Sequence, residues 1–237
     1  MASPKKLQAI VTSVIHHSDN VIEYLFLPEG RIPSFYPGQF LHLAIDPYDP
    51  CQNWPESRVF SIANAPGKSH IRIVISVKGH FTARMASELS EGSRVWLKFP
   101  YGNFTFPDSD NSLVLIAGGT GISPYISYLE HCVEKNARQA IYLYYGVRDE
   151  RYIIFNQLLE KCIATLPLFN YTVYCEGEIQ NKNLNILPGI IDCNQILKEN
   201  SSNSGFFISG PPLMIATIKN TLLEHGILPD RIFIDEW

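Results

Sequence analysis

The feature that most constrains this chain is a change of rhythm near residue 106. Before it, apolar residues come in short bursts rich in Val, Ile, Phe and Tyr. These are Leu7–Ile15, Val21–Leu27, Gln39–Ile45, Arg58–Ala63, Ile71–Val77 and Arg94–Phe99. Clusters such as Pro28-Glu29-Gly30 and Ala65-Pro66-Gly67 separate them. Ile71, Ile73, Ile75 and Val77 fall on one face, as the two-residue period of a strand requires. Six short strands at this spacing predict a six-stranded antiparallel β-barrel, with one helix at Phe81–Leu89. After the polar stretch Pro107–Ser112, strand-like segments alternate with helical ones. The strands are expected at Leu113–Ala117, Ala140–Tyr145, Tyr171–Cys175, Gly205–Ser209 and Arg231–Ile234. The helices are expected at Ser123–Lys135, Tyr152–Thr165, Ile190–Glu199 and Pro211–His225. That alternation predicts βαβ units on a parallel sheet, which binds ligands at the carboxyl ends of its strands. The tracts 176–185 and 199–204 read as surface loops. The expected fold is therefore a barrel domain over residues 1–107 and an α/β domain over residues 108–237.

With 237 residues, 46% of them hydrophobic, the chain can bury two cores. Its net charge of −4 and lack of a basic run argue against a nucleic-acid partner. The five cysteines, Cys51, Cys132, Cys162, Cys175 and Cys193, form no CxxC pair. Neither a zinc ribbon nor a plant-type iron–sulfur loop fits that spacing, and an odd, scattered set is unlike a secreted disulfide scaffold. The apolar run Leu7–Ile15 is interrupted by Gln8, Thr12 and Ser13, which makes a poor signal peptide and a good first strand. No apolar stretch approaches the roughly 20 residues of a membrane helix. The cytoplasm is the expected location.

Five local features stand out. Ala117-Gly-Gly-Thr-Gly-Ile-Ser-Pro124 follows a buried strand and opens a helix, where glycines let backbone N–H groups approach an anion. It is neither a GxGxxG fingerprint nor a Walker loop. An ordinary glycine turn is the plainer reading, and the strand-to-helix context favours a phosphate-facing one. Arg58-Val59-Phe60-Ser61 places a cation, a ring and a hydroxyl within one short strand, an arrangement also common in strands without a ligand. At Lys78-Gly79 with Thr82, the lysine, nearby N–H groups and hydroxyl suit a pyrophosphate, while a helix cap at Thr82 explains them equally. Ser209-Gly210-Pro211 ends a strand and begins a helix, which structural punctuation also accounts for. The last residue is Trp237, whose plain reading is a mobile or surface-packed ring.

Taken in order, these features resemble the ferredoxin–NADP reductase superfamily. The series runs through Pro37-Gly-Gln-Phe40, Arg58-Val-Phe-Ser61, Lys78-Gly79 with Thr82, Pro100-Tyr-Gly-Asn103 and Gly118-Gly-Thr-Gly-Ile-Ser-Pro124. It continues through Tyr145-Gly-Val-Arg148 and Ser209-Gly-Pro-Pro-Leu-Met214 to the terminal aromatic. The resemblance covers nearly the whole chain, and shared order and spacing carry its specificity. It implies a flavin-binding barrel and a nucleotide-binding α/β domain, with hydride passing from NADH or NADPH to the N5 of FAD. It implies that Arg58 pairs with the flavin phosphate, Phe60 stacks on the isoalloxazine and Ser61 hydrogen-bonds near N5, with Val59 in the same binding segment. Lys78, Gly79 and Thr82 would hold the FAD pyrophosphate, and Gly119, Thr120 and Gly121 that of the pyridine nucleotide. Ser209, Gly210 and Pro211 would border the nicotinamide, and Trp237 would cover the flavin. Ser61, Ser209 and Trp237 are thus the expected catalytic residues.

Some positions depart from the pattern. Phe60 stands where many members have Tyr, Ser209 where some have Cys, Phe99 where Gly is usual, and Val59 where several flavin reductases have Pro. None removes the chemistry. A 2′-phosphate would need a cationic clamp. Arg148 and Arg151 could form one, but Asp149 and Glu150 lie between them and Glu176 follows the next strand. NADH is therefore expected over NADPH. The expected acceptor is a separate protein, such as an oxygenase component, ferredoxin or cytochrome. The alternative is an NAD(P)H:flavin oxidoreductase that takes FMN or another free flavin as substrate. A third reading is a non-catalytic subunit that keeps the fold, against which Ser61, Thr120 and Ser209 speak.

Overall fold

The computed structural model describes residues 3–107, 111–180 and 185–235, and the two rhythms fold into two separate six-stranded sheets. Contacts divide the chain into two units. One joins residues up to Phe106 with Ser123–His131; the other joins Pro107–Ile122 with the residues from Cys132 onward.

The first unit contains β1 (Lys5–Ser18), β2 (Val21–Pro28), β3 (Phe40–Ala44), β4 (Arg58–Ser61), β5 (Ile71–Ser76), α1 (His80–Glu88) and β6 (Arg94–Tyr101). The strands lie in the order β4-β3-β6-β1-β2-β5, each antiparallel to its neighbours. The two edges approach where Ala63 N donates to Arg72 O at 2.8 Å, so the sheet nearly closes and neither edge is left fully bare. Alternation drives the closure. Ile71, Ile73 and Ile75 point inward with Leu41, Leu43, Leu97, Phe99, Tyr24 and Phe26. α1 adds Phe81 and Met85 to the same core. The Tyr24 hydroxyl donates to Met85 O at 3.0 Å, and burial pushes that phenol up to about 12, keeping it protonated as the donor.

The turn after β4 is fixed by a buried polar cluster. Asn64 is fully buried; its Oδ1 accepts from Arg72 N at 2.7 Å and its Nδ2 donates to His70 O at 3.2 Å. Ser127 donates to Asn64 O at 2.7 Å, and Glu130 accepts from Ala65 N at 2.9 Å while pairing with Arg72. In a low-dielectric interior such a satisfied network holds one geometry.

The second unit is a parallel sheet made by β7 (Leu113–Gly118), β8 (Ile141–Val147), β9 (Phe169–Cys175), β10 (Ile186–Pro188), β11 (Gly205–Ser209) and β12 (Ile232–Ile234). Its order is β10-β9-β8-β7-β11-β12. The helices after β7 are α2 (Ser123–Lys135), whose residues Ser123–His131 group with the first unit, α3 (Asn156–Thr165), α4 (Cys193–Glu199) and α5 (Pro212–Glu224). All six residues of β7 are buried, as expected for a strand covered on both faces. From β7 the chain steps outward through β8, β9 and β10, then crosses to β11 on the other flank. The order reverses between β7 and β11, and open α/β sheets bind ligands in the crevice at such a switch.

Two helices start later than their apolar pattern predicts. The one expected from Tyr152 begins at Asn156. Tyr152 closes a short 3₁₀ turn, its carbonyl accepts the Tyr145 hydroxyl at 3.0 Å, and Phe155 takes a left-handed conformation (φ 63°) that interrupts the helix. The one expected from Ile190 begins at Cys193, because the Asp192 carboxylate caps Asn194 N and Gln195 N. β10 had no signal at all, being three residues with no alternation to read.

Candidate functional site

In the second unit, β7 and β11 deliver two turns to the switch point. Gly118 ends β7, Gly119–Ile122 form a 3₁₀ turn, and α2 begins at Ser123. The glycines have different tasks. A Cβ on Gly118 would stand 2.6 Å from Met214 Sδ, and one on Gly121 would stand 2.5 Å from Ser209 O. Those two let the β7 and β11 turns touch. Gly119 has φ +54° and nothing within 4 Å of where its Cβ would be, so its backbone faces open space. Thr120 lies between Gly119 and Gly121 in the same 3₁₀ turn. Sequence expectation and structure thus bring Gly119, Thr120, Gly121, Ser209, Gly210 and Pro211 together.

The structure adds a residue that sequence reading missed. Ser209 is buried at the end of β11 and its hydroxyl donates to Asp235 Oδ2 at 2.9 Å; Asp235 is itself buried. Asp235 N also donates to Ile208 O at 3.0 Å, because β12 runs parallel beside β11 with Ile234 opposite Ile208. The two side chains are 26 positions apart, so spacing gave no warning. The available signal was an acid directly after the final strand. Trp237 lies outside the described residues.

At the carboxyl ends of β8 and β9, charges are already partly matched. The Arg151 guanidinium closes on Asp149, with Nε to Oδ1 at 3.0 Å and Nη2 to Oδ2 at 3.2 Å. That hydrogen bonding holds the Asp149 carboxyl below its usual range. Glu150 Oε2 accepts from Gln180 N at 2.6 Å. Gly177 packs against Arg148 O and Asp149, which puts exposed Glu176 beside exposed Arg148.

In the first unit, β4 carries Arg58, Val59, Phe60 and Ser61. Register pairs Arg58 with Leu43 and Phe60 with Leu41, so both turn toward the core side, while Val59 and Ser61 pair with His42 and Phe40 on the other. Phe60 is half-buried against the barrel core. The Arg58 guanidinium lies 5.3 Å from the Phe81 ring, which brings β4 next to the first turn of α1. It also pairs with Glu56 at 2.9 Å and donates to Ser57 O at 2.9 Å. At the start of α1, Thr82 Oγ1 accepts from Lys78 N at 3.0 Å and Gly79 N at 3.1 Å and donates to Gly79 O. The helix-cap reading of Thr82 is what the structure displays. A Cβ on Gly79 would meet nothing within 4 Å, so the backbone there is open to an incoming group.

Residues 115–220 match the oxidoreductase NAD-binding domain. The crystal structure of a ferredoxin NADP+ reductase from Neisseria gonorrhoeae with bound FAD and NADP superposes with a TM-score of 0.78 at 22% identity, covering 99% of this chain and 98% of that one. That likeness shows a shared fold, and the domain match places residues 115–220 in the oxidoreductase NAD-binding family. The chain is 26% identical to a flavohemoprotein from Bacillus subtilis, over 94% of this chain and 57% of that protein. It is also 26% identical to the anthranilate 1,2-dioxygenase electron transfer component of Acinetobacter baylyi, over 86% of this chain and 58% of that protein. The chain therefore spans a little over half the length of these relatives. Among the described residues no helix is long and apolar enough to cross a membrane.

Both units leave room for an anion beside a strand-to-helix turn, but not in the same way. Gly119 presents backbone to open space just before α2, where free helix N–H groups favour an anion, whereas the space beside Gly79 is open but its N–H donates to Thr82 Oγ1.

Proposed function

We propose that this chain is a member of the ferredoxin–NADP reductase superfamily, an NAD(P)H-dependent flavoprotein oxidoreductase that passes electrons to a separate protein acceptor, in the cytoplasm. The observation that carries the reading is the open glycine turn at the switch point, set against the buried Ser209–Asp235 pair. Bound flavin would supply the two-electron acceptor that amino-acid side chains lack. The residues supply position. On this reading the barrel domain, residues 1–107, takes the flavin, with Arg58, Lys78, Gly79 and Thr82 holding phosphate and Val59, Phe60 and Ser61 meeting the ring. The α/β domain, residues 108–237, takes the nucleotide, with Gly119, Thr120 and Gly121 on its pyrophosphate. Ser209, Gly210 and Pro211 border its nicotinamide, Asp235 fixes the Ser209 hydroxyl, and Trp237 covers the flavin. An oxygenase component, ferredoxin or cytochrome fits the acceptor role. An absorbance spectrum of the purified protein, followed by anaerobic titration with NADH and NADPH, tests the core claim. Failure of both nucleotides to bleach the flavin would favour a non-catalytic subunit.

NADH is the proposed donor. The arginine pair that could meet a 2′-phosphate, Arg148 and Arg151, is half spent, since Arg151 is clasped by Asp149, and Glu176 adds a repelling carboxylate. Asp149→Asn should release Arg151 and raise kcat/KM for NADPH about fivefold while leaving NADH within about twofold, a modest effect because the pair is exposed. An unchanged NADPH/NADH ratio would remove Asp149 from selectivity.

One observation favours flavin as a diffusing substrate. Thr82 already occupies the Lys78 and Gly79 N–H groups, and Glu56 already pairs with Arg58, so a flavin phosphate must compete for both. A colourless purified protein that reduces added FMN over many turnovers would establish that alternative.

A further inference from the structure

The outer face of the barrel carries a second set of donors that the proposed reaction does not use. Across three adjacent strands, His42 of β3 lies opposite Lys98 of β6, which lies opposite Lys6 of β1. The loop between β3 and β4 folds Tyr48 and Trp54 onto this row. Lys6 Nζ donates to the Tyr48 hydroxyl and sits 4.6 Å from that ring and 5.7 Å from Trp54. Lys98 Nζ sits 6.0 Å from the Trp54 ring and 5.5 Å from Tyr101. The His42 ring meets Tyr101 edge-on at 5.0 Å. All six belong to the first unit.

Anionic partners are what this face lacks among the described residues. The same loop offers three carboxylates, and each is engaged elsewhere. Asp46 pairs with Arg84 at 2.7 Å, Asp49 accepts from Cys51 N at 2.9 Å and Gln52 Nε2 at 3.4 Å, and Glu56 pairs with Arg58. Among the described residues no acidic side chain pairs with Lys6 or Lys98. Trp54 Nε1 is buried with no hydrogen-bond partner. A buried indole N–H normally finds an acceptor, and an ammonium can only donate. Lysine stems lying over aromatic rings explain where the lysines rest. They do not explain the indole N–H, because an ammonium beside the ring offers it no acceptor. Burial and the neighbouring Lys98 charge push the His42 imidazole below its usual range, so it stays neutral and the positive charge belongs to the lysines.

We propose that this face binds a planar anion, an aromatic or heteroaromatic ring carrying a phosphate or a carboxylate. Its acid group sits with Lys98, Lys6 and the Trp54 N–H, and its ring lies against Trp54 and Tyr101. Charge-assisted hydrogen bonds supply the attraction, and the rings supply the preference for a flat ligand.

The test follows the Trp54 indole N–H in ¹H–¹⁵N spectra of the full chain, with the resonance assigned through Trp54→Phe. The probes are 5′-AMP, benzoate and inorganic phosphate at millimolar concentrations. A saturable downfield shift with 5′-AMP, with benzoate or with both supports the site, and the more effective probe identifies phosphate or carboxylate as its acid group. Lys98→Met, which keeps the stem, should weaken that binding about tenfold, and Lys6→Met should weaken it less. Because 5′-AMP also resembles part of a flavin or nucleotide, the Lys98 variant separates this site from those. An indole resonance unmoved by both ring-bearing probes overturns the proposal. So does a shift that survives Lys98→Met, or one that inorganic phosphate produces as strongly as 5′-AMP.

Discussion

At Gly121 a Cβ would stand 2.5 Å from the Ser209 carbonyl oxygen, whereas at Gly79 it would meet nothing within 4 Å. Both glycines sit where a strand or loop hands over to a helix facing a candidate phosphate position. They are glycine for different reasons. In the α/β unit, Gly118 and Gly121 let two turns from neighbouring parallel strands touch, and Gly119 takes a positive φ. In the barrel unit, Gly79 has φ −146°, a conformation open to any residue, and Thr82 holds the turn from its side chain. One site is built by backbone packing and the other by side-chain capping, so the same kind of substitution should act very differently in each.

Gly121→Ala should have the largest effect. The clash is with backbone that cannot rotate away, so overpacking should cost about 3 kcal/mol and shift the β11 turn. Nucleotide affinity should fall at least about 100-fold, since 1.4 kcal/mol is a factor of ten. Gly79→Ala, with open space and an allowed φ, should change stability by less than about 1 kcal/mol. Calorimetric titration with NADH and thermal melts of the two variants measure the contrast. Equal losses in both would break it.

The Ser209–Asp235 pair comes next. Ser209→Ala removes a hydrogen bond to a buried carboxylate and should cost about 1–3 kcal/mol. Asp235→Asn keeps the volume and should cost less. If Asp235 fixes the hydroxyl for chemistry, stopped-flow flavin reduction should slow about tenfold in both variants while nucleotide affinity moves little. A pure stability loss, with an unchanged reduction rate, would make the pair structural.

These residues show what was legible. Glycine turns, strand alternation and the order of motifs along the chain placed both sheets and gathered Gly119–Gly121 with Ser209–Pro211. Asp235 was not legible, because its role comes from a parallel register between strands separated by a whole helix. Thr82 was half legible. Its sequence allowed a cap or a phosphate ligand, and only the geometry displays the cap. Phe155 hid its left-handed conformation inside an apolar pattern that reads as helix. β10 was too short to carry a period.

Thr82→Ala should cost about 1 kcal/mol through the lost cap. It sharpens the comparison, because Thr82→Ser restores the hydroxyl and should recover most of that loss. A flavin that dissociates more readily in Thr82→Ala, and is retained again in Thr82→Ser, would place this hydroxyl in cofactor binding as well as in the helix.

The smallest effect concerns how α1 is tied to the rest of the barrel. Arg84 donates to Asp46 at 2.7 and 3.1 Å and to Glu88 at 2.8 and 3.1 Å. These hydrogen bonds hold both carboxyls below their usual range. A depressed carboxyl contributes stability above its unfolded value, about 3.9 for Asp and 4.3 for Glu. That contribution is lost as pH falls through the lower folded value. Arg84→Gln should therefore leave melting near pH 7 only slightly changed, since exposed pairs are weak and screened. It should flatten the fall in Tm below about pH 4, because the carboxyls would then titrate alike in both states. The backbone-packed turn of the other unit has no such ion pair at Gly118–Ile122, so nucleotide binding should keep its pH profile in Arg84→Gln. A profile that moved with the variant would mean that the side-chain anchor of α1 also governs the backbone-built site.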